Sequence, residues 1–313
     1  MLQVVEVPDP APADGQALVR VRAAGVNRAD LLQRAGYYPA PADAPPDIPG
    51  LEFAGDVVES RSDRVRQGQR VFGLCAGGAQ AELLAVDAGL LVATPDSLDD
   101  VHAAALPEAF VTADDALFSQ ARLKRGETVL VHAVGSVIGI ACVQLASIEH
   151  CLTLGTSRSP WKLERLKEFG LARAIVADSN WPNRVREAVG DRGVDVIVDL
   201  VGGPYLKDNV ELLALGGRLI QVGTLAGATG QVSLGTLMRR RAQVIGTVLR
   251  SRSLSEKRAA VGAFVKRWHA AILSDQLRMP VSTSFELAQA SDAHRLVESD
   301  AALGKVVLTV GAP

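Results

Sequence analysis

Cysteine is scarce. Cys75, Cys142 and Cys151 are the only three in 313 residues, and none forms a CxxC pair. An odd count without pairing spacing argues against a disulfide framework and against a thiolate zinc site. The five histidines are scattered, with no HExxH or other ligand spacing. Excess charge of either sign is also lacking: 33 Lys and Arg stand against 35 Asp and Glu, a net charge of −2. Such a chain has no electrostatic footprint for nucleic acid or an anionic membrane. No apolar run reaches the roughly 18 residues that would span a bilayer. The start, Met1-Leu2-Gln3-Val4-Val5-Glu6, has neither a basic flank nor an apolar signal core. The sequence therefore reads as a cytoplasmic, metal-free protein without nucleic-acid or membrane partners.

What is present is apolar residue, 48% of the chain, over a length greater than one core usually serves. Two domains are expected. The first hundred residues hold short extended runs at 17–23, 51–59, 70–73, 79–86 and 90–93. Between them lies a proline-crowded loop (Pro39, Pro41, Pro45, Pro46, Pro49) that cannot be helix. Near Val101 the pattern changes to strands alternating with helices: strands at 128–131, 152–154, 194–200, 217–222 and 243–248, and helices at 137–147, 159–169 and 205–215. Continuous apolar strands in such an alternation predict a parallel sheet covered on both faces. A long amphipathic helix after Ser255, a strand at 281–285, a helix at 288–299 and a last strand at 305–310 form a tail too small to stand alone. It is expected to complete the first domain.

The strand at 128–131 runs into His132-Ala133-Val134-Gly135-Ser136-Val137-Ile138-Gly139 and then a helix. This is the first strand-turn-helix of a Rossmann half, where glycines let the backbone approach a pyrophosphate and the helix N-terminus offers free N–H groups. The strict GxGxxG string is missing, and Gly135 and Gly139 alone would also suit a plain strand-to-helix turn. The next strand ends Gly155-Thr156-Ser157-Arg158-Ser159, with Lys162 following and no carboxylate before Glu164. A carboxylate there would hold a ribose hydroxyl and repel a 2′-phosphate. Ser157 and Arg158 suit a phosphate, which favours NADPH. Solvated residues at a helix start would give the same string. Gly202-Gly203 and Gly223-Thr224 end strands on the side of the sheet where ligands sit.

Several strings carry a resemblance. They are Asn27-Arg28-Ala29-Asp30, Gly36-Tyr37-Tyr38, Ile48-Pro49-Gly50-Leu51-Glu52, Leu106-Pro107-Glu108 with Thr112, His132 to Gly139, Leu249-Arg250-Ser251-Arg252-Ser253-Leu254 and Gly304-Lys305-Val306-Val307-Leu308. Together, and over nearly the whole chain, they resemble the medium-chain dehydrogenase/reductase superfamily, most of all its zinc-free NADPH:quinone oxidoreductases of the zeta-crystallin and p53-inducible type. The resemblance implies an α/β fold with a Rossmann-type doubly wound parallel sheet (residues 108–251) and a GroES-like, mainly β catalytic domain (1–107 with 252–313). It also implies an active-site cleft between them and a homodimer. In zinc-dependent relatives a cysteine stands at Asn27 and a histidine at Leu51. Carried over by position, Gly135, Ser136 and Gly139 face the pyrophosphate, and Ser157, Arg158 and Lys162 face the 2′-phosphate. Thr112, Gly223, Leu249 and Arg250 approach the nicotinamide half. Asn27 and Tyr38 line the acceptor pocket.

The sequence departs from that pattern at some positions. Val137 stands where relatives carry glycine, and Ala177 where they carry a tyrosine after the third strand of the Rossmann sheet. Relatives also begin with a strand ahead of the segment matching residues 2–7; its lack here implies either an unpaired edge in the first domain or a start codon placed too late. The expected reaction is metal-free hydride transfer from NADPH to a quinone, with Asn27 holding the carbonyl oxygen and Tyr38 or water supplying the proton. The alternatives are an NADPH-dependent enone or enoyl reductase, and a cofactor-impaired binding protein on the same fold.

Overall fold

The computed structural model describes residues 2–42 and 44–311. The chain divides into two units: Met1–Val111 with Leu249–Pro313, and Thr112–Val248. Residues 2–13 carry neither helix nor strand. The first unit then builds β1 (Gln16–Val26), β2 (Glu52–Ser60), β3 (Arg70–Leu74), β4 (Leu83–Asp87) and β5 (Leu91–Ala93). In the first half of β1, Ala17, Val19 and Val21 turn inward while Arg20 and Arg22 face water, the period-2 pattern of a half-covered strand. A register shift against β2 between Val21 and Ala23 marks the change to a second half, Ala23–Val26, that is buried throughout. The expected strand at 79–86 starts only at Leu83. The N–H groups of Ala79 and Gln80 bond instead to the carbonyls of Gly50 and Pro49, so this segment closes the proline loop rather than a ladder.

The second unit contributes β6 (Thr128–Val131), β7 (Leu152–Ser157), β8 (Arg173–Val176), β9 (Val194–Asp199), β10 (Leu213–Gln221) and β11 (Gln243–Gly246). All are parallel, in the order β11-β10-β9-β6-β7-β8. The order reverses between β6 and β9, the switch point beside which open α/β sheets bind ligands. Val129, Leu130 and Val131 of β6 and Val196, Ile197 and Val198 of β9 are wholly buried, as strands covered on both faces must be. The expected helix at 205–215 stops at Leu212. Leu213 already pairs with Val194, and the ladder resumes at Arg218 after a register shift between Leu213 and Arg218. Both leucines are core residues either way, so apolar periodicity could not separate the two states.

The tail adds β12 (Val281–Glu286) and β13 (Lys305–Thr309), which join the first unit's seven-stranded sheet. β13 runs antiparallel to β1 and parallel to β12. Ahead of them the helix Leu254–Leu273 is opened by a Ser253–Glu256 capping box. No helix among the described residues is long and apolar enough to cross a membrane.

Candidate active site

In the second unit β6 leads into a tight loop. Ala133 adopts φ +50°, and the Ser136 hydroxyl caps the helix Val137–Ile148 by accepting the Gly139 N–H at 3.1 Å. A Cβ on Gly139 would lie 2.5 Å from the Val134 carbonyl oxygen, and one on Gly135 3.0 Å from Cδ of Lys162. Glycine is therefore what lets the helix start fold back on the loop, leaving its first N–H groups directed outward. Val137, the first helical residue, is half-buried.

A buried hydrogen-bond chain fixes the strand ends around this loop. His132 is fully buried, and burial pushes its imidazole down to about 4, so the ring is neutral. Nδ1 meets the Thr156 hydroxyl at 2.8 Å and Nε2 meets Asn209 Oδ1 at 2.7 Å. Asn209 Nδ2 in turn donates to Asp199 Oδ2 at 3.0 Å, and Asp199 Oδ1 accepts the N–H groups of Val201 and Gly202 at 2.6 and 3.1 Å. Gln221 spans β9 and β10 by donating to the carbonyls of Asp199 and Gly223. The carboxyl ends of β6, β7, β9 and β10 are thereby tied together, and Gly223 is held among them.

Ser157 and Arg158 end β7, with Ser157 buried and Arg158 exposed. The Ser157 Oγ accepts the Ser159 N–H at 3.1 Å, which leaves its O–H as a donor. Lys162 is buried, its stem against Gly135 and its ammonium 5.6 Å from the Trp161 ring centroid. Long aliphatic stems gain by covering apolar surface in this way. Thr112 is buried and its hydroxyl has no hydrogen-bond partner among the described residues. An orphaned buried hydroxyl in a unit with a loop of this shape fits a dinucleotide that would complete it.

The first unit holds a different kind of cluster. Asn27 follows β1, caps the helix Arg28–Arg34 and is buried. Its Nδ2 donates to Glu52 Oε1 at 2.8 Å, and its Oδ1 accepts from Lys305 Nζ at 2.7 Å. Lys305 and Glu52, both fully buried, form an ion pair. Glu52 Oε2 accepts the Glu108 N–H at 2.8 Å. A Cβ on Gly25 would collide with the Glu52 carboxylate. Asp30 accepts the N–H groups of Asn27 and Gly50 at 2.7 and 3.0 Å, and burial raises it to about 6 despite those bonds. Asn27 is thus held at both ends of its amide, with one N–H and one lone pair to spare.

Tyr38 is half-buried with the Arg250 guanidinium 5.1 Å from its ring centroid. Burial, and then the nearby Glu108 charge, push the phenol above its usual range. Arg250 is buried and latches the loop, donating to the carbonyls of Ala76 and Tyr38 and to Gln33 Oε1 at 2.8, 3.4 and 2.5 Å. Its side chain is committed to the Tyr38 loop, and Leu249 beside it is buried. Sequence reading missed Glu52, Lys305 and Glu108 as site residues, although all three stand in the strings quoted above.

The class follows from these features: a doubly wound sheet with a glycine-bearing phosphate loop, and a separate β unit with a polar buried cluster. Residues 137–266 match the zinc-binding dehydrogenase family model and residues 13–96 the alcohol dehydrogenase GroES-like domain. The chain is 30% identical to the quinone oxidoreductase of Rattus norvegicus over 306 residues, 96% of this chain and 90% of that protein. Among solved structures, the quinone oxidoreductase of Thermus thermophilus, described with its NADPH complex, matches with a TM-score of 0.84 and 32% identity, covering 97% of this chain and 95% of that one. The CurK enoyl reductase shares the fold, with a TM-score of 0.85 at 22% identity over 97% of this chain and 94% of that one. The chain belongs to the medium-chain dehydrogenase/reductase superfamily and is an oxidoreductase with a nicotinamide-dinucleotide fold.

Proposed function

We propose that the chain reduces quinones with NADPH and without zinc. The observation that carries this reading is the Asn27–Glu52–Lys305 cluster. Asn27 and Leu51 stand where zinc-dependent relatives carry ligands. Here the Asn27 amide is bonded to an ammonium, and Leu51 is a buried alkyl group. A divalent cation would have to displace Lys305 or share its hollow, so the residues do not fit zinc. Among the described residues no group of three His, Cys, Asp or Glu forms a ligand set. Without a Lewis acid the acceptor must itself be electrophilic, which a quinone is. NADPH, when bound, supplies the hydride. Gly135, Ser136 and Gly139 hold its pyrophosphate, and Ser157, Arg158 and Lys162 are assigned to the 2′-phosphate end. Thr112 and Gly223 are assigned to the nicotinamide half. Asn27 offers its remaining N–H to the acceptor oxygen as negative charge develops there.

Two readouts test this. Fluorescence or calorimetric titration should give micromolar binding with NADPH preferred over NADH. Weak binding of both would mean that the valine at 137 and the alanine at 177 have disabled the site, and would favour a binding protein. Turnover on a panel of quinones and α,β-unsaturated carbonyls then separates quinone reduction from enone reduction. Asn27→Ala should lower kcat on the true acceptor by about 100-fold, the range for losing one such donor, with NADPH affinity within about twofold. Unchanged turnover in a folded variant would remove Asn27 from the reaction.

A homodimer is part of the same reading. β11 ends the sheet of the second unit with an unpaired edge. Val244 on it, and Leu234 and Met238 on the neighbouring helix, are exposed, a surface suited to pairing with a second copy.

A further inference from the structure

Resting on the reductase reading above, we propose that Glu108 delivers the proton that the reduced acceptor requires. One hydride from the reduced nicotinamide brings both electrons and one hydrogen to a quinone. The second hydrogen must arrive as a proton. The carboxyl O–H of Glu108 breaks, an O–H forms on the acceptor, and Glu108 is left as a carboxylate that regains its proton from water.

The backbone anchors Glu108 beside the cluster that holds Asn27. It sits in the first turn of the helix Pro107–Asp114, and its N–H is held at 2.8 Å by Glu52 Oε2, the carboxylate that also grips Asn27 and Lys305. The residue is therefore tied to the cluster that carries Asn27. Its own carboxyl takes no hydrogen bond and no ion pair among the described residues, although Lys305 and Arg250 lie within electrostatic range. The residue is only half-buried. The carboxylates of Asp30 and Glu52 are committed to hydrogen bonds within the cluster, whereas that of Glu108 is not, and its partial exposure leaves it open to water and to a bound acceptor.

The surroundings set its acidity. Burial acts first, then the Glu52 carboxylate and, more weakly, Asp30, all favouring the protonated form. Lys305 and Arg250 oppose them, and the carboxyl stands at about 7. The alternatives nearby are poorer acids at neutral pH. Tyr38 is pushed above its usual value, and Cys75, which also feels the Glu108 charge, is pushed up to about 12. A general acid works best with a pKa close to the operating pH.

The sign of the pH effect is definite. An acid must be protonated to act, so kcat should be full below about 7 and fall as pH rises through it. In Glu108→Gln, kcat should drop by about 100-fold, within the usual range for losing acid catalysis. That descending limb should vanish, NADPH binding should stay within about twofold, and Glu108→Asp should regain part of the rate together with the limb. Should Glu108→Gln fail to fold, the unaltered protein decides. A descending limb near 7 with a normal solvent deuterium effect supports the proposal, and a flat profile between about pH 6 and about pH 9 overturns it. A folded Glu108→Gln that keeps both rate and limb removes Glu108 while leaving the reductase reading intact. If quinones fail and enones react, the same variants apply, since hydride addition there leaves an enolate needing one proton. If the unaltered protein reduces neither class, the reading itself fails and the proposal falls with it.

Discussion

Lys305→Met is expected to destabilise the fold by about 3–5 kcal/mol, the usual consequence of removing one partner from a buried ion pair. Lys305 and Glu52 have no solvent exposure. Without the ammonium, Glu52 keeps only the Asn27 amide and the Glu108 N–H against a full buried charge. The Asn27 carbonyl oxygen loses its donor as well. Denaturant unfolding would show the midpoint falling with the slope preserved. The informative control is the double variant Glu52→Gln with Lys305→Met, which removes both charges together and should recover most of the loss. If the single variant proves as stable as its parent, the pair is not ionised as a unit and the zinc-excluding role assigned to Lys305 collapses.

Arg158→Ala should raise the Kd for NADPH by about 10–100-fold, matching the loss of a hydrogen bond between charged groups at about 1.5–3 kcal/mol. The Kd for NADH should move by less than about threefold. Arg158 is exposed at the end of β7, so solvent screening favours the lower part of that range, and the difference should shrink with added salt. Equal losses for both dinucleotides would show that Arg158 stacks on the shared adenine instead of reading the 2′-phosphate.

Most strands were legible because their apolar pattern is simple. β6 and β9 are short continuous runs, and the first half of β1 alternates cleanly. Several elements of the second unit escaped, among them β8, the helix Trp181–Val189, the helix Leu234–Arg240 and the helical segment Asp115–Gln120. In β8 only Ile175 is buried among Arg173, Ala174 and Val176, so neither period stands out at the sheet's edge. The helix Trp181–Val189 offers two buried side chains, Trp181 and Val185, and Leu234–Arg240 none. Gly217 was read as the start of a strand, and glycine usually punctuates, whereas it lies inside β10 within an irregular stretch between Leu213 and Arg218. The phosphate loop was legible because its residues are consecutive. The charge cluster was not, because Asn27 and Lys305 stand 278 positions apart, and nothing local in Gly304-Lys305-Val306 announces that the lysine points inward.

The topology also bears on the order of synthesis. Thr112–Val248 is an unbroken segment, so it can fold as soon as it leaves the ribosome, as contiguous domains generally do. The first unit cannot. β13 lies inside its sheet, between the edge strand β12 and β1, and carries the only ammonium paired with Glu52 among the described residues. The stretch made first must therefore wait, the Ala23–Val26 half of β1 lacking its β13 partner and one carboxylate uncompensated, until Lys305–Thr309 is translated. A stop codon placed just ahead of Lys305 should consequently yield a product whose middle folds and whose beginning is degraded, which limited proteolysis would read as a surviving fragment centred on Thr112–Val248.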